Sequence, residues 1–73
     1  MISVKIQSPK RRLLYINGEY QENAGLTPVK VEVEKGINLF ETVNGAREID
    51  YRAEVNCSSN TAINLNRIDP EPL

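Results

Sequence analysis

The chain has 73 residues with a single cysteine and no histidine, and nine basic against ten acidic side chains leave a net charge of −1. A chain this short forms one domain and buries only about 60% of the surface its unfolded form exposes, so it has little core to spare for a deep active site. One cysteine without histidine excludes an internal disulfide and a Cys/His zinc site, and the near-neutral charge excludes the phosphate attraction on which nonspecific nucleic-acid binding depends.

Small domains are usually reinforced by disulfides, metals or association, so oligomerisation or a place in a larger polypeptide stays open. No segment approaches the ~20 apolar residues of a membrane span. The opening MISVKIQSPKRR puts its charges after a short alternating run; it does not have the form of a signal peptide, and no membrane insertion is expected. The compartment stays open: the cell envelope if the segment belongs to an exported chain, otherwise the cytoplasm.

In chain order, Ile2, Val4 and Ile6 alternate with Ser3, Lys5 and Gln7, which predicts a strand with one buried face. Ser8-Pro9 and the basic cluster Lys10, Arg11 and Arg12 then read as a solvated turn. Residues 13–16 predict a second, less regular strand, closed by Asn17-Gly18, residues that tolerate the positive φ of a tight turn. Residues 19–24 are mostly polar and read as a loop leading to Thr27-Pro28.

Val29, Val31 and Val33 alternate with Lys30, Glu32 and Glu34 in the clearest strand pattern of the chain. Gly36 marks a reversal before a less regular strand over residues 37–43, which Asn44-Gly45 turns back. Ile49, Tyr51, Ala53 and Val55 form the longest alternation; Ser58-Ser59-Asn60 is a turn, and Ile63 and Leu65 mark a last strand. The predicted core is Val4, Ile6, Leu14, Ile16, Val29, Val31, Val33, Ile49, Tyr51, Val55, Ile63 and Leu65, since a one-residue slip would expose the whole set.

Six or seven short strands with turns every 8 to 12 residues or so predict an all-β, small antiparallel two-layer β-sandwich. The domain is expected over residues 1–68, and the Pro-containing residues 69–73 as a tail or linker.

The turn motifs carry a resemblance. Ser8-Pro9, Leu14-Tyr15-Ile16-Asn17-Gly18 and Gly25-Leu26-Thr27-Pro28, followed by the valine strand and Gly36, are similar in order to the motifs of the PEGA domain, a small bacterial and archaeal β-sandwich. The likeness spans about residues 2–66, with Lys10-Arg11-Arg12 in place of the family's Glu-Gly-Ala and Ala46 where an aromatic residue often follows the glycine. It implies a non-catalytic module, appended to other domains or placed at the cell envelope, that binds protein or polysaccharide.

The residues supply little catalytic chemistry. No helix follows the glycines, so they do not form a phosphate cradle. Glu32, Glu34, Asp50 and Glu54 fall on polar strand faces, where Lys30 and Arg52 are expected to partner them. Cys57 has no histidine as base; it follows the strand in a serine-rich turn and reads as a structural or incidental thiol. No enzyme activity, cofactor or metal is expected. The candidate binding residues are Arg11 and Arg12 with Tyr20, Gln21, Glu22 and Asn23, because loops held by a rigid sheet carry recognition and Arg and Tyr are enriched at binding hot spots. The alternative to an appended module is a stand-alone cytoplasmic protein, of phage or regulatory type, that modulates a partner protein.

Overall fold

The computed structural model describes residues 1–65 and 71–72. The protein is all-β: β1 (Ile2–Gln7), β2 (Arg12–Ile16), β3 (Glu19–Ala24), β4 (Val29–Val33), β5 (Gly36–Val43), β6 (Ile49–Cys57) and β7 (Thr61–Asn64), with a two-residue β8 (Glu71–Pro72). Two sheets of order β4-β1-β7-β8 and β3-β2-β5-β6 pack as a small β-sandwich. Every pairing is antiparallel except β1 with β7, which is parallel. The expected boundary at residue 68 lies outside the described residues, whereas Glu71 and Pro72, expected in a tail, pair with Ala62 and Thr61.

The core forms where the inner faces meet. Val4, Ile6, Leu14, Ile16, Val31, Val33, Val55 and Ile63 are buried as the alternation predicts, and Val29, Tyr51 and Leu65 pack against them half-buried. Ile49 is a correction: it is 58% exposed. Thr42 pairs with Tyr51 while Val43 pairs with Ile49, so Asp50 is an extra residue in β6. This bulge exchanges faces, turning the Asp50 side chain toward Thr42 and Ile49 outward.

The core also takes in Ala24, Phe40 and Cys57, together with polar Ser8, Asn38 and Thr42. Alternation on β5 is legible only in its buried positions, Asn38, Phe40 and Thr42, two of which are polar. Asn38, 4% exposed, is satisfied from two segments: its Nδ2 donates to the carbonyls of Glu34 (2.8 Å) and Gly36 (3.2 Å), and its Oδ1 accepts from Asn17 Nδ2 (3.0 Å).

Residues 19–24 correct a second expectation. They form β3, an edge strand paired along β2 from Ile16↔Glu19 to Arg12↔Ala24, with a bulge that leaves Gln21 unpaired. The hairpin turn is the expected Asn17-Gly18, with φ of +51° and +84°, the doubly positive pattern that matches strand twist. Asn17 also ties the turn to the neighbouring strand, its amide donating to the Leu39 carbonyl (2.8 Å) and its Oδ1 accepting from the Leu39 amide (2.9 Å).

The second Asn-Gly pair behaves differently. Gly45 has no positive φ; Arg47 does, at +64°. Here Asn44 organises a longer connection, its Oδ1 accepting from the Ala46 and Glu48 amides at 2.9 and 3.1 Å. Cys57 is not in the serine-rich turn but ends β6 at full burial.

Candidate functional site

The outer face of the β3-β2-β5-β6 sheet gathers three of the six candidate residues, Arg11, Tyr20 and Asn23. Register places side chains in two rows across it: Asn23, Leu13, Val43 and Ile49, then Tyr20, Tyr15, Glu41 and Arg52. Both bulges maintain these rows, one setting Tyr20 opposite Tyr15 and the other Ile49 opposite Val43. Leu13, Tyr20 and Ile49 are exposed, Tyr20 by 52%, and Tyr15 and Val43 half-buried.

The Tyr15 and Tyr20 rings meet edge to face, with centroids 5.7 Å apart and planes at 66°, the arrangement aromatic quadrupoles favour. With the Asn23 amide oriented to match its neighbours, Nδ2 donates to the Tyr20 hydroxyl (3.0 Å) and Oδ1 accepts from Arg11 Nη2 (2.7 Å) and Nε (3.3 Å). Three of the six candidates, Arg11, Tyr20 and Asn23, therefore form one connected group. The strand β3 makes this possible by running back along β2, which brings Asn23 opposite Leu13.

Gln21 and Glu22 are exposed on the same edge strand. Gln21 is the bulge residue, and Glu22 pairs with Leu14, whose side chain points into the core. Neither joins the Arg11 group through a hydrogen bond.

Arg12 has a different environment from its neighbour. Its Nε donates to Asp50 Oδ2 (2.7 Å) and its Nη1 to Ser8 Oγ (2.7 Å), and its side chain is 14% exposed. The buried Thr42 hydroxyl donates to Asp50 Oδ1 (2.7 Å), and the Ser8 amide donates to the Gly25 carbonyl (2.9 Å). Burial pushes the Asp50 carboxyl up, but the Thr42 hydrogen bond and the Arg12 guanidinium outweigh it and hold the group below its usual value. The guanidinium is occupied in joining the end of β1 to β2 and β6, a structural duty rather than a surface one. The partnering expected of the carboxylates is corrected accordingly: Asp50 pairs with Arg12, and Arg52 with Glu41 at 3.8 Å.

Two shallow depressions follow the rows. One, of about 210 Å³, is lined by Tyr15, Gly18, Glu41, Val43 and Ile49. The other, of about 270 Å³, is lined by Arg11, Arg12, Leu13, Val43, Asn44 and Arg47 among others. They share Val43, so an apolar hollow runs into a basic groove. The residues that sequence reasoning missed are Leu13, Tyr15, Val43, Ile49 and Arg47. An exposed Ile facing Val43 was detectable only through the bulge.

A third cleft, of about 340 Å³, opens at the end of the sandwich beside Asn17 and Asn38, where Glu19, Glu32 and Glu34 line it. Among the described residues no group of side chains has the arrangement of a metal site. Burial pushes the Cys57 thiol up, against a smaller opposing effect of Asn38, and burial likewise raises the Tyr51 hydroxyl; a thiol so placed is a poor nucleophile. No helix among the described residues is long and apolar enough to cross a membrane. Comparison of the chain with protein-family models, with curated proteins and with solved structures returns no match.

Proposed function

We propose that the protein is a non-catalytic interaction module that binds an acidic protein segment across the outer face of its β3-β2-β5-β6 sheet. The observation that carries this reading is the continuity of the apolar row Leu13, Val43 and Ile49 with the groove bordered by Arg11 and Arg47. An aliphatic row beside guanidinium groups that have no ion pair among the described residues suits a segment with apolar side chains followed by carboxylates. Tyr20 is the anchor: it stands on Tyr15 and is held by Asn23, so little side-chain freedom is lost on binding. The two rings are not coplanar and so do not form an extended stacking platform for a sugar chain, which favours protein over polysaccharide. The PEGA-like order of the turn motifs supports the same class of module.

The test is selection of peptides from a random display library on the folded chain, followed by mapping of the selected peptide on the ¹⁵N-labelled protein. Acidic peptides with apolar residues are expected, with shifts at Arg11, Leu13, Tyr20, Val43, Arg47 and Ile49, and Tyr20→Ala is expected to weaken binding about tenfold or more. Shifts confined to the opposite sheet would refute the site. Shifts on titration with polygalacturonate but with no selected peptide would replace protein by polysaccharide.

A further inference from the structure

β6 lies at the end of its sheet order, so among the described residues nothing pairs with its outer edge. It is also the longest strand, and beyond the Asp50 bulge its pairing with β5 is regular from Tyr51 to Cys57. An open strand of this length is a template for another strand. Its sequence is self-complementary: Arg52 and Glu54 flank Ala53 on one face, and Tyr51 and Val55 flank it on the other.

We infer that two copies of the chain associate through β6, antiparallel and centred on Ala53, to make one continuous eight-stranded sheet. A two-fold axis perpendicular to the sheet keeps the outer faces aligned, so it must pass through a residue pair of the same face parity. Centring on Arg52 or on Glu54 would set like charges opposite each other. Centring on Tyr51 would call on Asp50, which Arg12 and Thr42 already hold. Centring on Ala53 places Arg52 opposite Glu54 of the second copy twice over, and sets Tyr51 opposite Val55 on the inner face.

The charges are available for this. The Arg52 side chain is 68% exposed, with a single long contact to Glu41, and Glu54 is exposed with no ion pair among the described residues. Association would extend the existing Glu41–Arg52 pair into a ladder that ends on the second copy's carboxylate. Strand β4 carries a similar pattern, Lys30 and Glu32 about Val31, but it is only five residues long, and its Glu32 already accepts from Ser3 Oγ (2.9 Å). The dimer does not depend on the proposed binding face, although it would place two such faces side by side.

The experiment is sedimentation equilibrium of the purified chain from micromolar to millimolar concentration, with circular dichroism as the check of folding. A reversible dimer is expected. Arg52→Glu and Glu54→Arg, each of which sets like charges opposite twice, should each weaken it about tenfold, and the double reversal should restore it. Lys30→Glu should leave it unchanged. A chain that stays monomeric throughout, folded single reversals that dimerise like the unaltered chain, or a dimer weakened by Lys30→Glu but not by Arg52→Glu would each overturn the inference.

Discussion

The two sheets share one core but present different outer faces. The β4-β1-β7 sheet shows solvent Ser3 opposite Glu32, Lys5 opposite Lys30 and Ala62, and Gln7 opposite Asn64. The β3-β2-β5-β6 sheet shows Leu13, Val43 and Ile49 in one row and two tyrosines in the next. The first shows water charged, amide and small side chains. The second carries apolar area that folding alone leaves uncovered, and both of the bulges interrupt this sheet. Bulges re-aim side chains at a cost in ladder regularity, so the sheet that departs from regular pairing is the one that keeps apolar side chains on its outer face.

The strongest way to break this comparison is to exchange an inner position for an outer one. Phe40→Ala removes a buried ring beside Ala53 and is expected to cost about 3–5 kcal/mol. That is nearly the whole stability of about 5 kcal/mol expected at this size, so loss of the cooperative transition in a urea titration is expected. Tyr20→Ala on the outer face should cost about 1 kcal/mol or less. Equal losses would mean that the outer face is structural.

The two adjacent arginines sharpen the distinction within one sheet. Arg12→Ala leaves Asp50 and Ser8 without their charged partner and should lower stability by about 1–3 kcal/mol. Arg11→Ala should stay within about 0.5 kcal/mol while weakening peptide binding. The order of the two urea midpoints checks this.

Acid should act on the same node. Because the folded-state value of Asp50 lies below its ordinary 3.8, its contribution is fully present above that value and is lost as pH falls through the lower, folded-state one. Asp50→Asn should therefore be less stable than the unaltered chain near neutrality, and the gap in Tm should shrink as pH falls below 3.8. A gap independent of pH would remove the ion pair from the account.

The smallest expected effect separates the two Asn-Gly turns. Gly18 has a φ of +84°, so Gly18→Ala should cost about 1 kcal/mol despite the open space around it. Gly45 has no positive φ and nothing near where a Cβ would sit, so Gly45→Ala should be neutral or stabilising by about 0.4–1 kcal/mol.

Regular alternation made β1, β4 and much of β6 legible, because in these strands burial and hydropathy share one period. It could not show β3, whose residues 19–23 are all polar except Tyr20: an edge strand with most of its positions exposed has no apolar phase to display. It blurred β5 because two of its buried positions, Asn38 and Thr42, bury polar atoms that partners from other segments satisfy. Alternation puts Ile49 on the wrong face because a bulge adds a residue without changing composition. Arg11, Tyr20 and Asn23 could be picked out by residue type alone. That Arg12 is held by a carboxylate while its neighbour Arg11 stays exposed depends on Asp50, 38 residues away, and no local pattern encodes it.

The parallel pairing of β1 with β7 has a consequence for the time course of folding. β1 lies between β4 and β7, with Val4 opposite both Val31 and Thr61, so its sheet remains half built until residue 61 arrives. The hairpins of the other sheet close over short loops, but this junction must close one spanning almost the whole chain, and its entropy is lost before the contact is gained. Folding should accordingly be slow for a domain of this size, on the order of milliseconds to seconds. A chain emerging during synthesis would leave one edge of β1 unpaired until residues 61–64 could dock.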